Sequence, residues 1–479
     1  MIRLLASRFE RLPVQTRMPF RYGIATLTDL PLAILFLRFE FGKSGPSHWG
    51  HASDFLPPRW FKKDPDLDPN REVEEMVDVI RNAVSLAERI RQPTPFEFSL
   101  ELTRAQKEWA AQQEGIPPLL ANFGSSLVER ALLDAFCRAR ETPFPQLLRT
   151  NELGIRLEAI HPELAGTQPA DGLPAEPLTS VSARHTLGFG DPLTEGEFAP
   201  EDRIPDPLPQ SLEAAIQTYG LNQFKVKING DREHDLERLE VLAALLPRLC
   251  PDGYQLSLDG NEQFSGWDHF SGFWQEAANR PDLEDLLKHV LFIEQPLARS
   301  AALQTHDIGK LSDGSPTPPV IIDESDAGPE IFREALACGY RGTSHKNCKG
   351  VFKGLAHRCL IEKINRDTRA DLLMSGEDLG NVGPVALLQD LHVQATLGNA
   401  SVERNGHHYF YGLSMLPKPL QQLVLDHHPE LYQPSPEGVP VLQIRSGKIP
   451  LGDCASAPFG TRFSPEALYK ALKQKPIES

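Results

Sequence analysis

Six charged side chains recur through the middle of the chain at steps of 23 to 35 residues, each closing a short apolar segment. They are Lys227 in FKVK, Asp259 in LSLDGNE, Glu294 in LFIEQP, Asp323 in VIIDES, Lys346 in TSHKNCK and Glu377 in LLMSGED. An amphipathic stretch follows each one. A strand, a functional loop and a covering helix together take roughly 30 residues. The repeat therefore predicts parallel βα units closing into a barrel. Charges at the C-terminal ends of successive parallel strands converge on one face, where barrel enzymes carry their chemistry.

At 479 residues the chain is long enough for a barrel and a second unit. An α+β capping domain is predicted over residues 1–150, from the β-rich LPLAILFLRFEF and a helical pattern over 70–142. The clearest helix there is SSLVERALLDAFCRAR, with Ser125 or Ser126 as its N-cap. Two turn-rich segments, 17–23 and 44–61, read as loops. Pro-rich connections lie at about 162–178 and 191–209, and the barrel is predicted over 178–410. Ser211 and Asp231 are expected to cap its first two helices. The tail, 411–479, carries GVPVLQIRSGKIPLGD. It suggests a short hairpin and is expected to pack back on the cap or barrel.

A net charge of −16 excludes nucleic acid as a partner, because phosphate binding needs clustered Lys and Arg. Six scattered cysteines without a CxxC pair read as reduced and mostly buried. The N-terminus lacks a continuous apolar core for a signal peptide. The longest apolar run, 31–37, is too short to span a bilayer. A cytoplasmic protein is the expectation, and a homo-oligomer is compatible with the sequence.

Strand residues two apart share a face, which pairs Lys225 with Lys227 and Asp259 with Asn261. Asp259, Glu294 and Asp323 on three consecutive strand ends make a hard, all-oxygen site suited to Mg²⁺. Lys225 and Lys227 on one side, with Lys346 on the other, bracket whatever the metal holds. Neighbouring positive charge is expected to lower a lysine's pKa toward that of a usable base. The layout suits removal of a proton α to a carboxylate, with metal and lysine stabilising the enediolate.

With these residues in place, the chain resembles the enolase superfamily, specifically its mandelate racemase and muconate lactonizing group. The resemblance implies a modified (β/α)₇β barrel beneath an N-terminal cap. It implies Lys227 as acid/base, Lys225 as electrostatic helper and Lys346 as the opposing lysine. It makes Asp259, Glu294 and Asp323 the Mg²⁺ ligands. The DES around Asp323 and the absence of a strand-seven histidine match the muconate lactonizing, Lys/Lys branch. In this family the two N-terminal loops close over the site and choose the substrate, which points to Phe20, Trp49 and Trp60. The chain departs from the family by its extra length and by Cys348 and Lys349 after strand six.

Taken singly, each motif has a plain structural reading: KxK as a solvated edge, DES as an N-cap, LDGNE as a turn. Their order and spacing favour a joint site. Glu377 either faces substrate or caps the next helix, and His185 either touches substrate or only packs. Lys349 reads as a surface charge. The function expected is a Mg²⁺-dependent racemase, epimerase or cycloisomerase acting on a small carboxylate. A syn-dehydratase similar to o-succinylbenzoate synthase is the alternative. A non-catalytic ligand-binding barrel is a second, and a Schiff-base aldolase a third. SVERNGHHY at the eighth strand lacks the DxD of dipeptide epimerases, which disfavours that activity.

Overall fold

The computed structural model describes residues 1–43, 45–304, 307–311 and 317–474. The N-terminal unit begins with an antiparallel sheet of β1 (Ile2–Leu12), β4 (Leu32–Phe41) and β5 (Ser47–Phe55), in that order with β4 central. Between β1 and β4, the strands β2 (Gln15–Tyr22) and β3 (Ala25–Asp29) form a separate hairpin. Both segments expected to be loops therefore contain strands. SHWGHASDF has few strong strand formers, but nine register pairs with β4 hold it extended. Tertiary pairing outweighs local propensity there.

Three helices follow: α1 (Pro69–Ala87), α2 (Pro95–Ala110) and α3 (Pro118–Arg140). Ser125 and Ser126 do not cap a helix but lie inside α3, which starts seven residues before Ser125 with a proline in its first turn. α3 is buried along most of its length and packs on β4 and β5. Gly50 permits that approach, since a Cβ there would stand 2.0 Å from the Ala131 carbonyl oxygen.

Arg130 of α3 is fully buried and donates to Asp54 Oδ2 at 2.7 Å and to the Ser53 carbonyl at 2.9 Å. Arg130→Met should cost about 3–5 kcal/mol, because it leaves the Asp54 charge buried and unpaired. Urea denaturation measures this. Adding Asp54→Asn to the variant should recover much of the loss, and an unchanged midpoint in the single variant would contradict the assignment.

Eight parallel strands form the barrel: β6 (Ser180–Leu187), β7 (Gln223–Lys227), β8 (Gln255–Asp259), β9 (Val290–Glu294), β10 (Val320–Ile321), β11 (Gly342–His345), β12 (Leu373–Gly376) and β13 (Ser401–Arg404). They pair in sequence order, and β13 pairs back onto β6. The bridge between Ile322 and Thr343 closes the ring. Helical segments separate each strand from the next, and β13 is followed by the one-turn helix Gly406–Tyr409 and then the tail. This is the (β/α)₇β barrel with an antiparallel-sheet cap. Ser211 and Asp231 cap the helices Leu212–Tyr219 and Arg232–Leu249, the first of which ends on Gly220 at φ 65°.

The tail does not make the single hairpin expected of it. Pro440–Leu442 pairs with Tyr432–Pro434, whereas Lys448–Pro450 adds antiparallel to β6. Its last described helix, Pro465–Lys473, returns to the cap, with Tyr469 edge-on to Phe36 and Lys473 paired to Glu10 at 2.6 Å. All six cysteines are buried, and none forms a disulfide. No helix among the described residues is long and apolar enough to cross a membrane.

Candidate active site

Side-chain alternation along the barrel strands carries one set of residues inward. At the mouth these are Thr186, Lys225, Lys227, Asp259, Glu294, Asp323, Lys346, Glu377 and Glu403, all nearly excluded from solvent. Lys225 Nζ joins four strands. It lies 2.9 Å from Asp259 Oδ2, 2.6 Å from Glu294 Oε2, 2.9 Å from Glu377 Oε2 and 2.9 Å from Glu403 Oε2. Lys227 donates to Asp259 Oδ2 at 2.6 Å. Lys346 donates to Asp323 Oδ2 at 2.6 Å and to Glu377 Oε2 at 2.8 Å.

β7 and β11 stand four strands apart in the closed ring of eight, the widest separation it allows. Lys227 and Lys346 therefore enter from opposite sides, and both line one cavity of about 570 Å³. The rest of its wall is mostly apolar: Phe20, Leu27 and Leu30 from the hairpin, Pro57 and Trp60 after β5, and Phe410 after β13. The Trp60 ring centroid lies 5.5 Å from Lys346 Nζ, and that of Tyr22 lies 5.8 Å from Lys227 Nζ. Both cations thus face aromatic rings.

Burial opposes the Lys225 ammonium, but Asp259, Glu294, Glu377 and Glu403 outweigh it and hold its pKa well above the lysine range. Lys346 is raised in the same way by Asp323, Glu377 and Glu294. Carboxylates outweigh burial and positive neighbours around both of these lysines. Glu294 shows the converse. Burial, then Asp259 and Glu377, push its carboxyl well above the usual range despite Lys225 and Lys346.

Both Glu294 oxygens are buried, with Lys225 Nζ 2.6 Å from Oε2 and Lys346 Nζ 3.7 Å from Oε1. A buried carboxylate in an oxygen-rich pocket fits a hard divalent cation. Glu294, Asp323 and Glu377 each place an oxygen within 4.8 Å of the others. Asp259 is not in that group; its Oδ2 is turned to Lys225 and Lys227. Glu377 does not cap a helix, since the next one begins at Ala386.

Asn261 lies at the cavity, its amide nitrogen donating to Glu324 Oε1 at 3.0 Å. Phe20 is also there, against Tyr409 at 4.3 Å between ring centroids. His185 is not brought to the cavity. It has the opposite parity to Arg184 and Thr186 and packs on His407 and His408. Trp49 lies on the cap sheet between Arg8 and Arg38, while Trp60, of the same segment, lines the cavity.

Lys349 is not a surface charge. It is buried and donates to the Asp323 carbonyl at 2.8 Å and to Ser344 Oγ at 2.8 Å. Three inward residues were not anticipated. Glu403 lies near the end of the eighth strand and follows Val402, the same apolar-then-charge signal as the other six. Arg184 donates to Ser375 Oγ at 2.6 Å and to Glu377 Oε1 at 3.3 Å, and Thr186 donates to Glu403 Oε1 at 2.6 Å.

No family model matches the chain, and no curated protein matches it. Solved structures do. A muconate lactonizing enzyme from Pseudomonas fluorescens, complexed with muconolactone, is 17% identical with a TM-score of 0.58, covering 98% of each chain. A dipeptide epimerase from Enterococcus faecalis, complexed with Mg and a dipeptide, is 13% identical at 0.58, covering 96% of this chain and 99% of its own. A 2-chloromuconate cycloisomerase from Rhodococcus opacus is 16% identical at 0.58, covering 98% of this chain and 100% of its own. All three carry the cap-and-barrel fold. At these identities the likeness establishes the architecture alone.

Proposed function

We propose that the chain is a Mg²⁺-dependent enzyme of the enolase superfamily that removes the proton α to a substrate carboxylate. The observation that carries this reading is the pair Lys227 and Lys346, entering one cavity from opposite sides of the barrel. The dipeptide epimerase of similar fold, which holds Mg, supports the metal. Glu294, Asp323 and Glu377 would hold the ion, with Asp259 as a further oxygen donor. When bound, it would draw charge from the substrate carboxylate and neutralise the carboxylates that keep Lys346 protonated.

Lys227 or Lys346 then takes the α-proton, and the other lysine, on the far face, returns one. Proton transfer of this kind yields racemisation or epimerisation. With a single lysine acting, cycloisomerisation or syn-elimination follows instead. Lys225 stays charged throughout and offsets the negative charge that develops on the substrate. Closing the aromatic wall over the site keeps water from the carbanion.

The substituent on the α-carbon faces Phe20, Leu27, Leu30, Pro57, Trp60 and Phe410, and so is apolar. Trp60→Ala should change the ratio of kcat/KM between a large and a small apolar acid by roughly 10–200-fold. Mg²⁺ affinity should move little. A variant with unaltered preference would remove Trp60 from the specificity wall.

Proton exchange in D₂O with Mg²⁺, followed by NMR over a panel of α-substituted acids, tests the reaction. Deuterium at the α-carbon of at least one acid is expected. A panel without exchange, beside a Schiff base trapped by borohydride, would favour an aldolase.

A further inference from the structure

The segment after β5, residues 56–63, carries Trp60 to the substrate cavity but belongs to no helix or strand. A side chain of the barrel holds it there. Arg299, first residue of the short helix Arg299–Ala302 after β9, donates from Nη1 to the Phe61 carbonyl at 2.9 Å. Its Nη2 donates to the Trp60 carbonyl at 3.4 Å. Nε and Nη2 also grip the two oxygens of Glu262, each at 2.9 Å. All three guanidinium nitrogens are engaged, in the two-bond grip on a carboxylate that arginine makes and lysine cannot.

Glu262 stands in the turn after β8, where Asn261 and Glu262 have left-handed backbones, at φ 40° and 68°. Non-glycine residues adopt that conformation at a cost, which the surrounding structure must offset. The Glu262 amide donates to the Gln295 carbonyl at 3.0 Å and ties this turn to the one after β9. Asn261 lines the substrate cavity, while Glu262 is turned to Arg299. Lys63, from the held segment itself, brings its Nζ to 3.6 Å from Glu262 Oε2.

We propose that Arg299, aligned by Glu262, is a positioning residue that fixes Trp60 against Lys346 and so limits the size of apolar group the cavity admits. This rests on reading the cavity as a substrate site with Trp60 in its wall. The main chain on the C-terminal side of the indole is held by its own and the next carbonyl, so the ring cannot withdraw from the cavity. Without Arg299 the segment is left with ties to the cap, such as the Leu56 amide on the Pro31 carbonyl and the Arg59 amide on Glu72. A support of this kind acts through placement of the residue it holds, not through contact with the substrate.

Trp60 fluorescence reads that placement without any turnover. Its component is the difference between each protein and its Trp60→Phe counterpart, and acrylamide quenching measures its exposure. In the native protein the component should be shielded, since Trp60 is 5% exposed. In Arg299→Lys, which keeps the charge but loses the two-bond grip, quenching should rise toward that of an exposed indole. Glu262→Gln should do the same, because it turns an amide N–H₂ toward the guanidinium, and it decides alone if Arg299→Lys loses its folded circular dichroism. Between a large and a small apolar acid, either variant should shift the kcat/KM ratio by roughly tenfold, in the direction of Trp60→Ala. Combined with Trp60→Ala, it should add nothing further. Unchanged quenching in the folded variants would overturn the proposal. So would an unshifted ratio, or a shift that persists in full beside Trp60→Ala. If the native protein turns over no acid, the proposed reaction fails, and quenching still decides whether Arg299 holds Trp60.

Discussion

Lys227→Ala and Lys346→Ala are each expected to lower turnover by roughly 10²–10⁴-fold, the contribution of one positioned general base. The two losses should differ in kind. Each lysine faces the bound carbon from its own side, so a racemase lacking Lys227 should still exchange the proton of one enantiomer. The variant lacking Lys346 should exchange that of the other. NMR in D₂O on resolved enantiomers reads this directly. For a one-base enzyme, one variant should lose exchange with every substrate and the other should keep part of it. The fold should survive both changes. Asp323 retains Lys349 at 2.7 Å when Lys346 is gone, and Asp259 retains Lys225 at 2.9 Å when Lys227 is gone. If both variants exchange both enantiomers at the native rate, the lysines are not the bases.

The barrel and most of its mouth are legible in the sequence because strand-end charges repeat at a length set by the βα unit. Lys225, Lys227, Glu294, Asp323, Lys346 and Glu377 all converge on that signal alone. Other features depend on neighbours that no local pattern records. His185 and Thr186 differ by one position, and only the register with β7 decides which of them enters the barrel. Trp49 and Trp60 lie in one stretch that reads as a loop. Pairing of β5 with β4 carries the first onto the sheet and leaves the second free to reach Lys346. Lys349 follows a turn, where charges are usually solvated, yet the packing of α3 against this region buries it. Asp259 and Glu377 show the same limit in the site itself. Both are carboxylates at barrel strand ends, and only the fold groups an oxygen of Glu377 with those of Glu294 and Asp323.

Glu294→Gln should abolish Mg²⁺ binding and with it turnover, while the protein remains folded. The substitution keeps the volume and removes one negative charge. It takes that charge from a fully buried carboxylate of the group. Burial and two neighbouring carboxylates already work against a charge at this position, so a neutral amide is well tolerated when no cation is present. In chelator the variant should therefore melt no lower than the native protein. Mg²⁺ should then separate the two. A ligand at 100 times its Kd adds about 2.7 kcal/mol to the stability of the form it binds. The native protein should gain in Tm as Mg²⁺ is titrated, and the variant should not. Asp259→Asn provides the comparison, because Asp259 lies outside the group of three whose oxygens converge. It should keep more of the Mg²⁺-dependent gain than Glu294→Gln does. Equal Mg²⁺-dependent gains in the native protein and in Glu294→Gln would remove Glu294 from the metal site. A complete loss in Asp259→Asn would bring Asp259 into it, with the carboxylate swinging from Lys227 to the ion.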